Sequence, residues 1–194
     1  MRDEDRRVFH EFLSDLNRET DRGLALVSAA LIDEKLGRTL LAFFCEGKSA
    51  NRLVSEPNGP LGTFSARTEA CMALGLIDVA EYREILLVRK IRNLFAHAHK
   101  SLAFASAEVS GLCTSLATPL PPDIHPSRDT PRMRFSNAVV SLTSALYYRP
   151  EWVMKERRAA KVWAEPVRWR SVKDEPPPDG AFVIGANFGP PSPG

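Results

Sequence analysis

Asp78-Val79-Ala80-Glu81-Tyr82-Arg83-Glu84-Ile85-Leu86-Leu87-Val88-Arg89-Lys90-Ile91-Arg92-Asn93-Leu94-Phe95-Ala96-His97 reads as one capped amphipathic helix. Asp78 can accept from the amide of Glu81, and the Glu81 carboxylate can accept from the amide of Asp78, which is a capping box. With about 100° per residue and Tyr82 as zero, Leu87, Val88, Ile91, Leu94, Phe95 and Ala98 fall between roughly 120° and roughly 240°. That is a core stripe. Arg92 flanks the stripe on one side, and Arg89, Asn93 and His97 follow it round onto the opposite, polar face. His97 is about 120° from the stripe centre and is not placed like a core histidine.

The surrounding sequence repeats the helical pattern. Upstream, Leu61-Gly62-Thr63-Phe64-Ser65-Ala66-Arg67 opens a helix that closes at Gly75, and Leu76 and Ile77 bridge to the next. Pro57-Asn58-Gly59-Pro60 is a loop, preceded by a short helix near Ser49–Val54. Thr20 and Asp21 supply N-cap chemistry for a long helix running to about Phe44. Its first half, Leu24 to Ile32, is apolar on most sides, which predicts a central position. Residues 3–17 predict a first helix with Val8, Phe9, Phe12, Leu13 and Leu16 as one stripe. Downstream, a helix is predicted near Ser106–Leu116, then a break over Thr118–Pro131, which holds five prolines. Helical spacing returns over Phe135–Tyr148, and a short charged helix is predicted over Glu151–Ala164.

The expected fold is all-α, a compact helical bundle with a disordered Pro/Gly-rich C-terminal tail. The expected division is a bundle over 1–117, a Pro-rich loop with C-terminal helices packing on the bundle over 118–173, and the tail over 174–194. Prolines and glycines make up nearly half of that tail, which leaves little to build a core from. The 194-residue length suffices for one sizeable core, and the 8% aromatic content with no long β-branched run agrees with helix.

Net charge is +2, but it is unevenly spread. Residues 126–173 hold 11 Lys/Arg against 4 Asp/Glu, so only this block can attract a polyanion. It interleaves Arg157, Arg158, Lys161, Arg168 and Arg170 with Trp152, Trp163 and Trp169. Nucleic acid is an open partner there, but docking of an amphipathic helix on the bundle is the favoured reading. Cys45, Cys71 and Cys113 have no metal-type spacing and are expected to be free, buried thiols in a reducing cytoplasm. The acidic start Met1-Arg2-Asp3-Glu4-Asp5 does not read as a signal peptide, and no apolar run is long enough for a membrane span.

The chemistry-bearing residues are Arg89, Arg92, Asn93 and His97. Arginine offers a fixed donor fork to phosphate, and histidine can act as a general base. With Asn93 as polar positioner, Arg92 and His97 would suit metal-free RNA cleavage: the imidazole activates a ribose 2′-hydroxyl and the guanidinium stabilises charge on the phosphate. They stand about 140° apart on an ideal helix, so they converge only through distortion or pairing of two helices. The competing expectation is structural. Arg89, Lys90 and Arg92 would pair with Glu69, Glu81 or Glu84, and His97 would cap the last turn. His97 and His99 are two apart, which suits no metal pair, and no Gly-rich phosphate loop, nucleophile elbow, CxxC or helix-turn-helix is present. No cofactor and no metal are expected.

Three segments in order, Gly59 through Arg67, Ala73-Leu74-Gly75-Leu76-Ile77, and Arg89 through His97, resemble the mannitol operon repressor (MltR-type) family. Asp21-Arg22-Gly23 and Leu31-Ile32-Asp33-Glu34-Lys35-Leu36 also fit it. The resemblance covers roughly residues 20–117. It implies an all-α bundle and a repressor-type transcriptional regulator, without a recognisable DNA-binding motif, acting mainly through protein contacts. A protein partner and a homodimer are expected, with Arg89, Arg92 and His97 as interaction candidates. Mannitol is not implied, because no visible residue specifies a sugar. Arg92-Asn93 followed by His97 is also similar to the motif of HEPN domains (higher eukaryotes and prokaryotes nucleotide-binding). Many of those are dimeric RNases, and their arginine, polar residue and histidine carry over onto Arg92, Asn93 and His97. The alternative function is thus a metal-independent endoribonuclease.

Overall fold

A computed structural model describes residues 3–56, 58–122 and 125–163, with side chains from residue 11 onward. The helices are α1 (Asp3–Arg18), α2 (Asp21–Phe43), α3 (Lys48–Val54), α4 (Phe64–Ala73), α5 (Val79–His97), α6 (Ala107–Thr114), α7 (Pro131–Tyr147) and α8 (Arg149–Val153). Among the described residues there is no strand, so the all-α expectation holds. No helix of the described residues is long and apolar enough to cross a membrane.

Helix α2 is the hub. Thr20 caps it by accepting from the Gly23 amide at 3.0 Å. Its buried residues, Leu24, Ala25, Ser28, Ala29, Ile32, Leu36, Gly37, Thr39, Leu40 and Ala42, cover most of its circumference. α1, α3, α4, α5, α7 and α8 all pack on it. A helix apolar on most sides belongs at the centre, and α2 keeps only a narrow exposed stripe through Arg22, Val27, Ala30, Glu34 and Arg38. At Gly37 the α2 backbone faces the Arg67 side chain, whose guanidinium carbon would lie 3.4 Å from a Cβ there.

Local chemistry fixes the other helix ends. α4 finishes in a Schellman motif: Leu76 donates to the Cys71 carbonyl at 2.8 Å, Gly75 donates to that of Met72 at 3.1 Å, and Gly75 has φ of +69°. The capping box of α5 forms in both directions, at 2.8 and 2.9 Å. Gly59 lies so close to the α3 carbonyls that a Cβ would stand 2.4 Å from the oxygen of Arg52. α7 packs on α2, α5 and α6. Phe104 links α5 to α7, with its ring 5.0 Å from that of Phe95 and 4.9 Å from that of Phe135. All three rings are buried, and truncating any one to alanine should cost about 3–5 kcal/mol.

Several sequence expectations need correction. α7 begins at Pro131 rather than Phe135, since proline is tolerated at the first helical position and Thr130 caps it by accepting from Met133 at 3.2 Å. The predicted helix over Glu151–Ala164 is instead α8 followed by a 3₁₀ turn over Met154–Glu156. Beyond it the chain is held by tertiary bonds: the Arg158 amide donates to the Phe43 carbonyl at 2.7 Å, and Arg157 donates to the Ala42 carbonyl and to Glu46. The basic stretch around Arg157 and Arg158 therefore does not dock as a helix. Trp152 remains 57% exposed. Cys71 and Cys113 are buried as expected, but Cys45 is exposed. The chain up to Ala159 forms one compact unit. In the segment after it, the Lys161 ammonium sits 5.5 Å from the centroid of the Trp163 ring. Arg168, Trp169, Arg170 and the expected disorder of 174–194 lie outside the described residues, as do the side chains of Val8 and Phe9.

Candidate functional site

Three elements enclose an open groove of about 660 Å³. One face of α2 supplies Leu26, Ala29, Ala30 and Asp33, at helical spacing. The start of α4 and the residues before it supply Gly62, Thr63, Phe64 and Ser65. α5 supplies Arg89, Arg92 and Asn93. The two alanines of α2 leave room where larger side chains would fill the space.

Arg89 is half-buried and donates to the Ser65 hydroxyl. Arg92 is exposed and donates to Asn93 Oδ1 at 2.9 Å. Each guanidinium is thus held by a neutral oxygen. Neither forms an ion pair with a carboxylate among the described residues. The expected pairing with Glu69, Glu81 or Glu84 fails because all three are engaged elsewhere. Glu69 accepts from the Tyr82 hydroxyl at 3.0 Å. Glu81 pairs with Arg149, which reaches both its carboxylate oxygens, at 2.6 and 3.1 Å. Glu84 is buried and accepts from the Ala117 amide at 2.5 Å and from Thr118 at 3.0 Å.

Asp33 is the groove's acidic residue. Burial pushes its carboxyl above the ordinary value of 3.8, against the opposing pull of Arg67 and Arg92. Arg67 Nη1 lies 2.9 Å from Asp33 Oδ1. That approach is close but not aligned as a hydrogen bond, so Oδ1 is left without one. Arg67 also donates to the Leu61 and Val54 carbonyls, both at 2.9 Å, and so locks the loop before α4 against α3. The start of α4 is oriented in turn: Thr63 caps it by accepting from Ala66 at 3.1 Å. The amides of Phe64 and Ser65 have no acceptor within the helix, and both residues line the groove at the positive end of the helix dipole.

The structure therefore brings Arg89, Arg92 and Asn93 together and leaves His97 out. His97 is exposed at the last position of α5 and does not line the groove. Sequence reading missed Asp33, Thr63 and Ser65 as site residues, although all three stand inside the segments that carry the family resemblance. Nothing in local spacing says that these segments face Arg89.

No family model matches the chain. The mannitol operon repressors of Escherichia coli K12 and of Escherichia coli O6:H1 are each 28% identical to it over 117 residues, 56% of this chain. A chain of the X-ray structure of the MtlR–HPr complex from Escherichia coli matches its fold with a TM-score of 0.50, at 25% identity, over 76% of this chain and 97% of that one. The chain is similar to the mannitol operon repressors. The likeness holds in sequence and in fold, as the ordered motifs imply. The aligned stretch spans 60% of the length of those two repressors. Among the described residues, no three His, Cys, Asp or Glu side chains gather as a metal site.

Proposed function

We propose that this chain is a repressor-type transcriptional regulator that works by docking a protein partner similar to HPr. The observation that carries the reading is the likeness to the chain from the MtlR–HPr complex, which extends over three quarters of this chain. The sequence adds to it, since it holds no helix-turn-helix with which to read a DNA groove directly. In this reading the regulator is a homodimer in the cytoplasm, and its buried reduced thiols suit that compartment. The nuclease alternative gains nothing from the site, because Arg92 and Asn93 share the groove without His97.

Calorimetric titration with the HPr-type protein of the same cell, beside a mobility-shift assay on operator-length DNA, tests the proposal. Saturable binding of the protein is expected, with no sequence-specific shift by the isolated chain. Tight, sequence-specific DNA binding without any partner would overturn the partner-mediated mechanism, as would failure to bind the HPr-type protein.

A further inference from the structure

Two guanidinium groups, Arg89 and Arg92, line a concave space without forming an ion pair among the described residues, and each is positioned by a neutral oxygen. The Asp33 carboxylate in the same groove is paired with Arg67 and also feels the charge of Arg92. These four charged groups sum to a net charge of +2. The start of α4 adds backbone amides with no acceptor inside the helix. Leu26, Ala29, Ala30 and Phe64 give the lining an apolar part.

We propose that this groove binds a small organic phosphate, with its dianionic group between Arg89, Arg92 and the first amides of α4. A phosphomonoester matches the site in charge and in donor number. Its oxygens can accept from two guanidinium forks and from backbone amides together, which a carboxylate's two oxygens cannot do as fully. The apolar wall takes the organic body. The volume of about 660 Å³ falls within the range of small-molecule sites. Asn93 and Ser65 are positioning residues: they hold the guanidinium groups without cancelling their charge. This site stands apart from the partner-docking proposal and does not depend on it.

The test is calorimetric titration of the full chain with phenyl phosphate, inorganic phosphate and benzoate, repeated on Arg89→Gln, Arg92→Gln and Lys90→Gln. Lys90 is exposed on the same helix and does not line the groove. Saturable binding of phenyl phosphate is expected, tighter than inorganic phosphate and much tighter than benzoate. Each arginine variant should weaken it by about tenfold or more, and Lys90→Gln should not. Circular dichroism of the variants confirms that they fold, and having two arginine variants guards against the loss of one. Three outcomes would overturn the proposal: no saturable binding of either phosphate at millimolar concentration, benzoate binding as tightly as phenyl phosphate, or equal weakening by Lys90→Gln.

Discussion

Glu69, Glu81 and Glu84 decide what Arg89 and Arg92 are free to do. Each acidic side chain close to them in sequence is taken by a partner elsewhere: Tyr82, Arg149 and the Ala117–Thr118 backbone and hydroxyl. The arginines were legible in the sequence as chemistry-bearing residues, and so was the polar side of α5. Their freedom was not, because it depends on residues as far off as Arg149 and on a loop that periodicity does not describe. His97 shows the same limit. The wheel correctly sets it outside the core, but the end of the groove is fixed by α2 and α4. Thiol chemistry provides a check at this scale. Burial pushes the Cys71 and Cys113 thiols up to about 12, so neither ionises near neutral pH. A colorimetric thiol reagent at pH 8 should therefore titrate Cys45 alone in the native chain and all three cysteines after denaturation. Rapid native labelling of Cys71 or Cys113 would contradict their burial.

At the scale of elements, caps and apolar patterns foretold most helices. The Asp78–Glu81 box, the Thr20 cap and the Gly75 terminus are all strong local signals, and each forms. The misreadings occur where tertiary bonds override composition. Residues 157–163 are rich in charge and alanine, yet the Arg158 amide is claimed by the Phe43 carbonyl at the end of α2. Glu81 shows how one residue can serve two elements. It closes the α5 cap and also receives Arg149, and the two side chains are only 12% and 19% exposed. Asp78→Ala removes the cap alone and should cost about 1 kcal/mol. Glu81→Ala also removes the carboxylate from a largely buried guanidinium, which keeps the Leu76 carbonyl, and should cost about 2–4 kcal/mol, less than full burial would give because some water reaches the pair. Urea unfolding of both variants measures the difference, and equal losses would show that the Arg149 pair contributes nothing.

For the molecule as a whole, the residues up to Ala117 do not complete the core by themselves. α7 contributes Phe135, Ala138, Val139, Leu142 and Leu146 to the same core that holds Phe95 and Ile91. A chain ending at Ala117 should therefore lose cooperative thermal unfolding and bind a hydrophobic dye, because the face of α2 that meets α7 and α8 would be bare. A sharp two-state transition in that fragment would argue against this. The hub position of α2 has a further consequence during synthesis. Its apolar circumference emerges from the ribosome early, but its last covering helix, α8, ends at Val153. At about 5–20 residues per second, the roughly 110 residues between them take roughly 5 to 20 s to translate. Over that interval α3, α4, α5 and α7 cover α2 in turn, and the apolar face that α8 closes is the last to leave the reach of a chaperone.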